Sequence, residues 1–80
     1  MNEQRMLADI AVEIKRDWKN VYFGAVPYIQ AMFYLNDCRD MYGLDSGYDI
    51  VARFLGNETT WRGEVARRVK KELNDMLKKH

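Results

Sequence analysis

Three groups of residues have types and spacings on which chemistry could be built. The first is Cys38 beside Arg39. A neighbouring guanidinium lowers a thiol's pKa, but a cysteine nucleophile also needs a base to orient it. The only histidine is His80, in the last position of the sequence, where fraying is expected to leave the imidazole unfixed. Cys38 is therefore read as a small residue near a helix end. The second group is Asp37, Asp40, Asp45 and Asp49. A calcium loop needs oxygen ligands at alternate positions, a glycine, and a bidentate glutamate at the twelfth position. Here the spacing is wrong and the glutamate is missing, so turn formation and helix capping are the expected roles. Gly43 and Gly47 fit neither G-x-x-x-x-G-K nor G-x-G-x-x-G, the phosphate-cradling patterns. The third group lies in TWRGEVARRVKKEL, which carries Arg62, Arg67, Arg68, Lys70 and Lys71. On a helix, Arg67, Lys70, Lys71 and Lys78 gather within about 100° of arc. They are the candidate nucleic-acid contact. Glu64, Glu72 and Asp75 share that segment, and cations near a helix C-terminus are favoured by the dipole alone. A solvated face accounts for them as well. No catalytic residue, cofactor or metal ligand is expected, and the chain is not expected to be an enzyme.

A fourth group is aromatic and apolar. In NVYFGAVPYIQAMFYLN, Gln30 is the only strongly polar side chain between the two flanking asparagines. A membrane span takes about 20 apolar residues, and this block is shorter and contains Gly24, Pro27 and Gln30. Stacking on single-stranded nucleic acid needs basic residues among the rings, and the block has none. Tyrosine joins a large apolar body to a polar tip and suits protein interfaces. Tyr22, Phe23, Tyr28 and Tyr34 are the candidate protein interface.

The whole chain bounds these readings. Its 80 residues, with 48% apolar content, make one globular domain, residues 1–80, with a thin core. A net charge of +1 is not that of a dedicated nucleic-acid binder. One cysteine excludes an internal disulfide and a cysteine-based zinc cluster. Asp9, Glu13 and Lys15 interrupt the apolar residues near the N-terminus, so no signal peptide is expected. The expected location is the cytoplasm, without membrane association.

Four helices are expected to position these groups. The first runs from about Asn2 to Lys19, with Leu7, Ile10, Ile14 and Trp18 as its stripe. The second runs from Val26 or Pro27 to Asp37, with proline in its first turn. Ile29, Met32, Phe33 and Leu35 point in different directions on it, so it is expected at the centre, covered on most sides. The third is capped by Asp45 or Ser46 in an S/T-x-x-D/E pattern. Its apolar face is Ile50, Val51, Phe54 and Leu55, and Gly56 is expected as a left-handed stop. The fourth begins after Thr59 or Thr60 and runs to Lys78 along Trp61, Val65, Val69, Leu73, Met76 and Leu77. No strand is expected. The fold class is all-α, a compact four-helix domain with helix two central.

GAVPYIQAM, YGLDSGYDIVARFLGN and TTWRGEVARRVKKEL occur in this order. They resemble a family of small uncharacterised proteins from phages and prophages of Gram-positive bacteria. In that family P-Y-hydrophobic-x-A-M, D-S-x-x-x-I-V-x-x-F-L and W-R-G-E-x-A-R recur in the same order. The resemblance covers about residues 20–77, and Trp61 to Arg67 is its most specific part. It implies a phage-related setting in a bacterial host cell and no assigned activity. The expected function is a non-enzymatic accessory factor that binds a protein partner, which could be a second copy of itself as a homodimer. The alternative is DNA or RNA binding through Arg67, Lys70, Lys71 and Lys78.

Overall fold

In a computed structural model, which describes residues 5–78, four α-helices and one minimal hairpin make up the regular structure. They are α1 (Leu7–Asp17), α2 (Val26–Met32), α3 (Gly47–Leu55) and α4 (Glu64–Lys78). A short 3-10 turn, Phe23–Ala25, leads into α2. Strands β1 (Met41–Tyr42) and β2 (Asp45–Ser46) pair antiparallel, Met41 with Ser46 and Tyr42 with Asp45. The principal helix contacts are α2 with α1 and with α3, and α4 with the same two. The domain is mostly helical, with α2 held between α1 and α3 and α4 completing the packing on the same two helices.

Each helix buries the stripe its periodicity defines. Leu7, Ile10, Ala11 and Ile14 of α1 are buried, and Trp18 follows one turn on. Ile50, Val51 and Phe54 of α3 are buried, with Leu55 half-buried. On α4 the inward residues are Ala66, Val69, Leu73 and Met76, while Val65 and Leu77 sit at the edge of the core. The hub of the core is aromatic. Trp61 stacks on Trp18 with ring centroids 5.7 Å apart, and Phe54 meets both indoles edge-on at 6.3 Å. The Trp61 indole N–H donates to the Asp17 carboxylate at 2.8 Å, so its one polar atom is satisfied.

Several boundaries differ from the sequence-based expectation. Helix one is helical from Leu7, and the expected residues before Arg5 lie outside the described residues. Helix two ends at Met32 rather than Asp37. Beyond it the amides of Phe33, Tyr34 and Leu35 bond to carbonyls three residues back, at 3.0–3.2 Å, the tightening common at helix ends. The Asp40 carboxylate captures the amides of Asn36 (2.7 Å) and Asp37 (3.2 Å), a local competitor to the helix ladder. The carbonyls of Leu35 and Asn36 accept from the amides of Ala8 (3.0 Å) and Leu7 (2.9 Å), satisfying the start of α1.

The unexpected strands follow from Gly43. Its φ of +65° and the absence of a positive φ at Leu44 give the glycine-first pattern of a type II′ hairpin turn. Gly56 is not left-handed, because its φ is −80°; the Asn57 side-chain amide instead donates to the Arg53 carbonyl at 2.8 Å. Helix four begins at Glu64 rather than directly after a Thr59 or Thr60 cap. The segment before it turns Trp61 into the core, and Gly63, at φ +115°, redirects the chain into the helix. Ser46 does cap α3, its Oγ accepting from the Asp49 amide at 3.2 Å.

Candidate functional site

The aromatic block divides between the two ends of α2. At its start, Tyr22 and Phe23 are exposed and their rings lie 4.9 Å apart. Tyr28 is half-buried against the core. At the other end Tyr34 is 77% exposed and leans on Tyr42 of β1, 5.9 Å between centroids. The seven-residue helix separates the two pairs by about 10 Å of rise. The four candidate interface residues therefore do not form one patch.

The larger group is at the hairpin end. Phe33, Tyr34, Met41, Tyr42 and Leu44 are all exposed there, and Leu44 at the turn is 97% exposed. The hairpin is fixed to the body through Gly47. The Gly47 amide donates to the Asp40 carbonyl (2.7 Å) and the Tyr48 amide to the Cys38 carbonyl (3.0 Å). A Cβ at Gly47 would lie 2.7 Å from Cys38 Cα and 2.8 Å from two backbone carbonyl oxygens. This approach admits only glycine without backbone movement. The apolar tip is thus presented chiefly by backbone bonds, with the Tyr34–Tyr42 ring contact beside them.

The aspartates around the hairpin serve the backbone. Besides Asp40, the Asp37 carboxylate accepts from the Arg39 amide at 2.6 Å and pairs with its guanidinium at 3.2 Å. The Arg39 amide and guanidinium hold the Asp37 carboxyl below its usual range. The Arg39 guanidinium is thereby engaged by Asp37. Burial, with the Asp37 charge, pushes the Cys38 thiol up to about 11, the opposite of an activated nucleophile. Among the described residues no group of three or more His, Cys, Asp or Glu side chains is placed to hold a metal ion. No described helix is long and apolar enough to cross a membrane. His80 lies outside the described residues.

The basic flank of α4 is unevenly available. Arg67, Lys71 and Lys78 are exposed, and Lys71 pairs with Asp75 at 3.2 Å. Lys70 is half-buried, bonded to the Trp61 carbonyl at 2.7 Å and paired with the buried Glu58 at 3.0 Å. It locks the 56–63 connection onto α4. Arg68 is paired with Glu13, which also lies 2.8 Å from Arg5. Arg5 in turn donates to both oxygens of Glu72, at 2.6 and 3.0 Å. This network joins α1 to α4. Burial pushes the Glu13 carboxyl up, but hydrogen bonds from Arg68 and Arg5 outweigh it and hold the group below its ordinary value. The bond to Glu72 raises the Arg5 guanidinium further, against its partial burial.

The aromatic block signalled Tyr34, but Met41, Tyr42 and Leu44 escaped the sequence reading because their segment is rich in turn residues. The available signal was Gly43-Leu44 between two short runs, a glycine-first two-residue turn. The arrangement is that of a small helical domain with an apolar hairpin end. Comparison with protein-family models, curated proteins and solved structures finds no match for this chain.

Proposed function

We propose that this protein is a non-enzymatic accessory factor that docks on another protein through its hairpin end. The observation carrying this reading is the exposure of Leu44, Tyr34, Met41 and Tyr42 on backbone held by Gly47. A group of exposed apolar side chains rimmed by polar residues is characteristic of interaction sites, and a rigid carrier lowers the cost of ordering them on binding. The motif resemblance supports placing the protein in phage- or prophage-bearing Gram-positive bacteria, in the host cytoplasm.

Nucleic-acid binding through α4 is the second reading, favoured by the exposure of Arg67, Lys71 and Lys78. The engagement of Lys70 with Glu58 counts against it. Affinity capture from host lysate separates the two. A Leu44→Asp/Tyr34→Ser variant is expected to lose the protein recovered by the wild type, while Lys71→Glu/Lys78→Glu keeps it. Recovery of nucleic acid that is salt-sensitive and lost only in the lysine variant would establish the second reading.

A further inference from the structure

A second feature complements the hairpin end. Trp61, Arg62, Gly63, Ala66, Arg67 and Lys70 line an open hollow of about 230 Å³ where the chain enters α4. By volume the hollow has room for an aliphatic side chain, since a cavity of ~150 Å³ accepts a benzene-sized group. Trp61 and Ala66 lie beneath it but are only 2% and 1% exposed, so its accessible wall is the exposed Arg62, Gly63 and Arg67 with half-buried Lys70. Glu58 neutralises Lys70, and Glu64 is the acid on the adjoining turn of α4. Arg62 and Arg67 are exposed and form no ion pair among the described residues, which leaves two unpaired guanidinium groups on the rim.

The hairpin has the opposite character. Leu44 projects almost wholly into solvent, next to Asp45 and with Asp40 and Asp49 nearby in the chain. Asp45 has one distant cation, Arg53 at 3.9 Å, and the Arg39 charge is taken by Asp37. The knob is therefore apolar with an acidic surround, and the hole is walled by basic side chains. One molecule cannot seat its own knob, because β2 immediately precedes α3 and the hollow lies beyond its far end. The nine residues of α3 set the two about 13 Å apart along that helix alone.

We infer that a second copy of this chain occupies the hollow, inserting Leu44 against Gly63 and the aliphatic stems of the basic side chains while Asp45 and Asp49 face Arg62 and Arg67. The inference rests on the hairpin end being a docking surface and names the second copy as its partner. The contact is heterologous, head to tail, so copies add into rings or chains rather than stopping at a two-fold dimer. One knob in one hole is a small interface, so association belongs at roughly 10 µM to 1 mM.

Sedimentation equilibrium across that range, on wild type, Leu44→Asp and Arg67→Glu, decides the matter. Both substituted side chains are exposed, so unchanged circular dichroism and melting serve as the folding control. Wild type is expected to rise in mass beyond the dimer with concentration, and each variant to associate at least tenfold more weakly. Mixed together, the variants retain one intact knob and one intact hole between them. The mixture is expected to form a 1:1 dimer that grows no further, a pattern no two-fold contact produces. A wild type that stays monomeric to about 1 mM overturns the inference, and so does a mixture that fails to pair. Neither result affects docking on a different protein, which the capture experiment reads separately.

Discussion

Replacing Trp61 by alanine probes the aromatic hub that joins the end of α1, α3 and the connection into α4. The side chain is 2% exposed, stacked on Trp18, met edge-on by Phe54 and bonded to Asp17. Truncating a buried tryptophan costs about 3–5 kcal/mol. The aromatic contacts, at about 0.5–1.5 kcal/mol each, place this site in the upper part of that range. The lost Asp17 bond adds less, because Asp17 is exposed and its carboxylate is rehydrated. For a domain of this size, about 4–8 °C per kcal/mol applied to the upper part of that range gives a fall in melting temperature of roughly 16–40 °C. Against a total stability of about 5–15 kcal/mol, most of the margin of a small domain is removed. Trp61→Phe, which keeps a ring in place and loses the indole N–H, is expected to cost only about 1–2 kcal/mol. Urea unfolding followed by circular dichroism measures both variants. An alanine variant within about 1 kcal/mol of wild type would refute the placement of Trp61 at the hub.

Gly47→Ala forces a Cβ to within 3 Å of the Cys38 backbone, so a loss of about 1–3 kcal/mol is expected, read as a lower urea midpoint. Lys70→Met strands the buried Glu58 and is expected to cost about 2 kcal/mol, less than a fully buried pair because Lys70 is partly open. Adding Glu58→Gln should recover much of that loss in a double-mutant cycle. Glu13 has a lowered folded pKa, so its stabilisation is present above the ordinary glutamate value of 4.5 and is lost as pH falls through the folded value. Glu13→Gln is therefore expected to lower stability by about 1 kcal/mol at pH 7. It should also make the urea midpoint less sensitive to pH below about 4.5.

The stripes of α1, α3 and α4 were legible in their central residues because period and burial agree there, while Leu55, Val65 and Leu77 are half-buried and Ala66 takes an inward place outside the expected stripe. Trp61 is core as expected, although it lies before α4 and is turned inward by the connection rather than by helical period; Ser46 was readable as a cap from its spacing to Asp49. The end of α2 was not readable from apolar content. Phe33, Tyr34 and Leu35 are as apolar as the helix before them, and the interruption comes from a single carboxylate, Asp40, taking two amides. The aspartates had looked like punctuation, which they are, but they also shape the segment that carries the exposed apolar group. Lys70 could be placed on the basic flank from its azimuth. Its attachment to Glu58 could not, because that contact depends on how the 56–63 connection folds over α4.

The most direct test of docking through the hairpin end is a photo-crosslink placed at Leu44. Leu44 is replaced by a photoreactive phenylalanine analogue and the protein is irradiated in cells of a Gram-positive bacterium, the proposed setting, with the exposed Arg16 of α1 substituted in parallel. The account predicts a light-dependent protein adduct at position 44 and none at position 16. The adduct's mass tells a second copy of the chain from a different protein. No adduct at position 44, or equal adducts at both positions, would contradict the account.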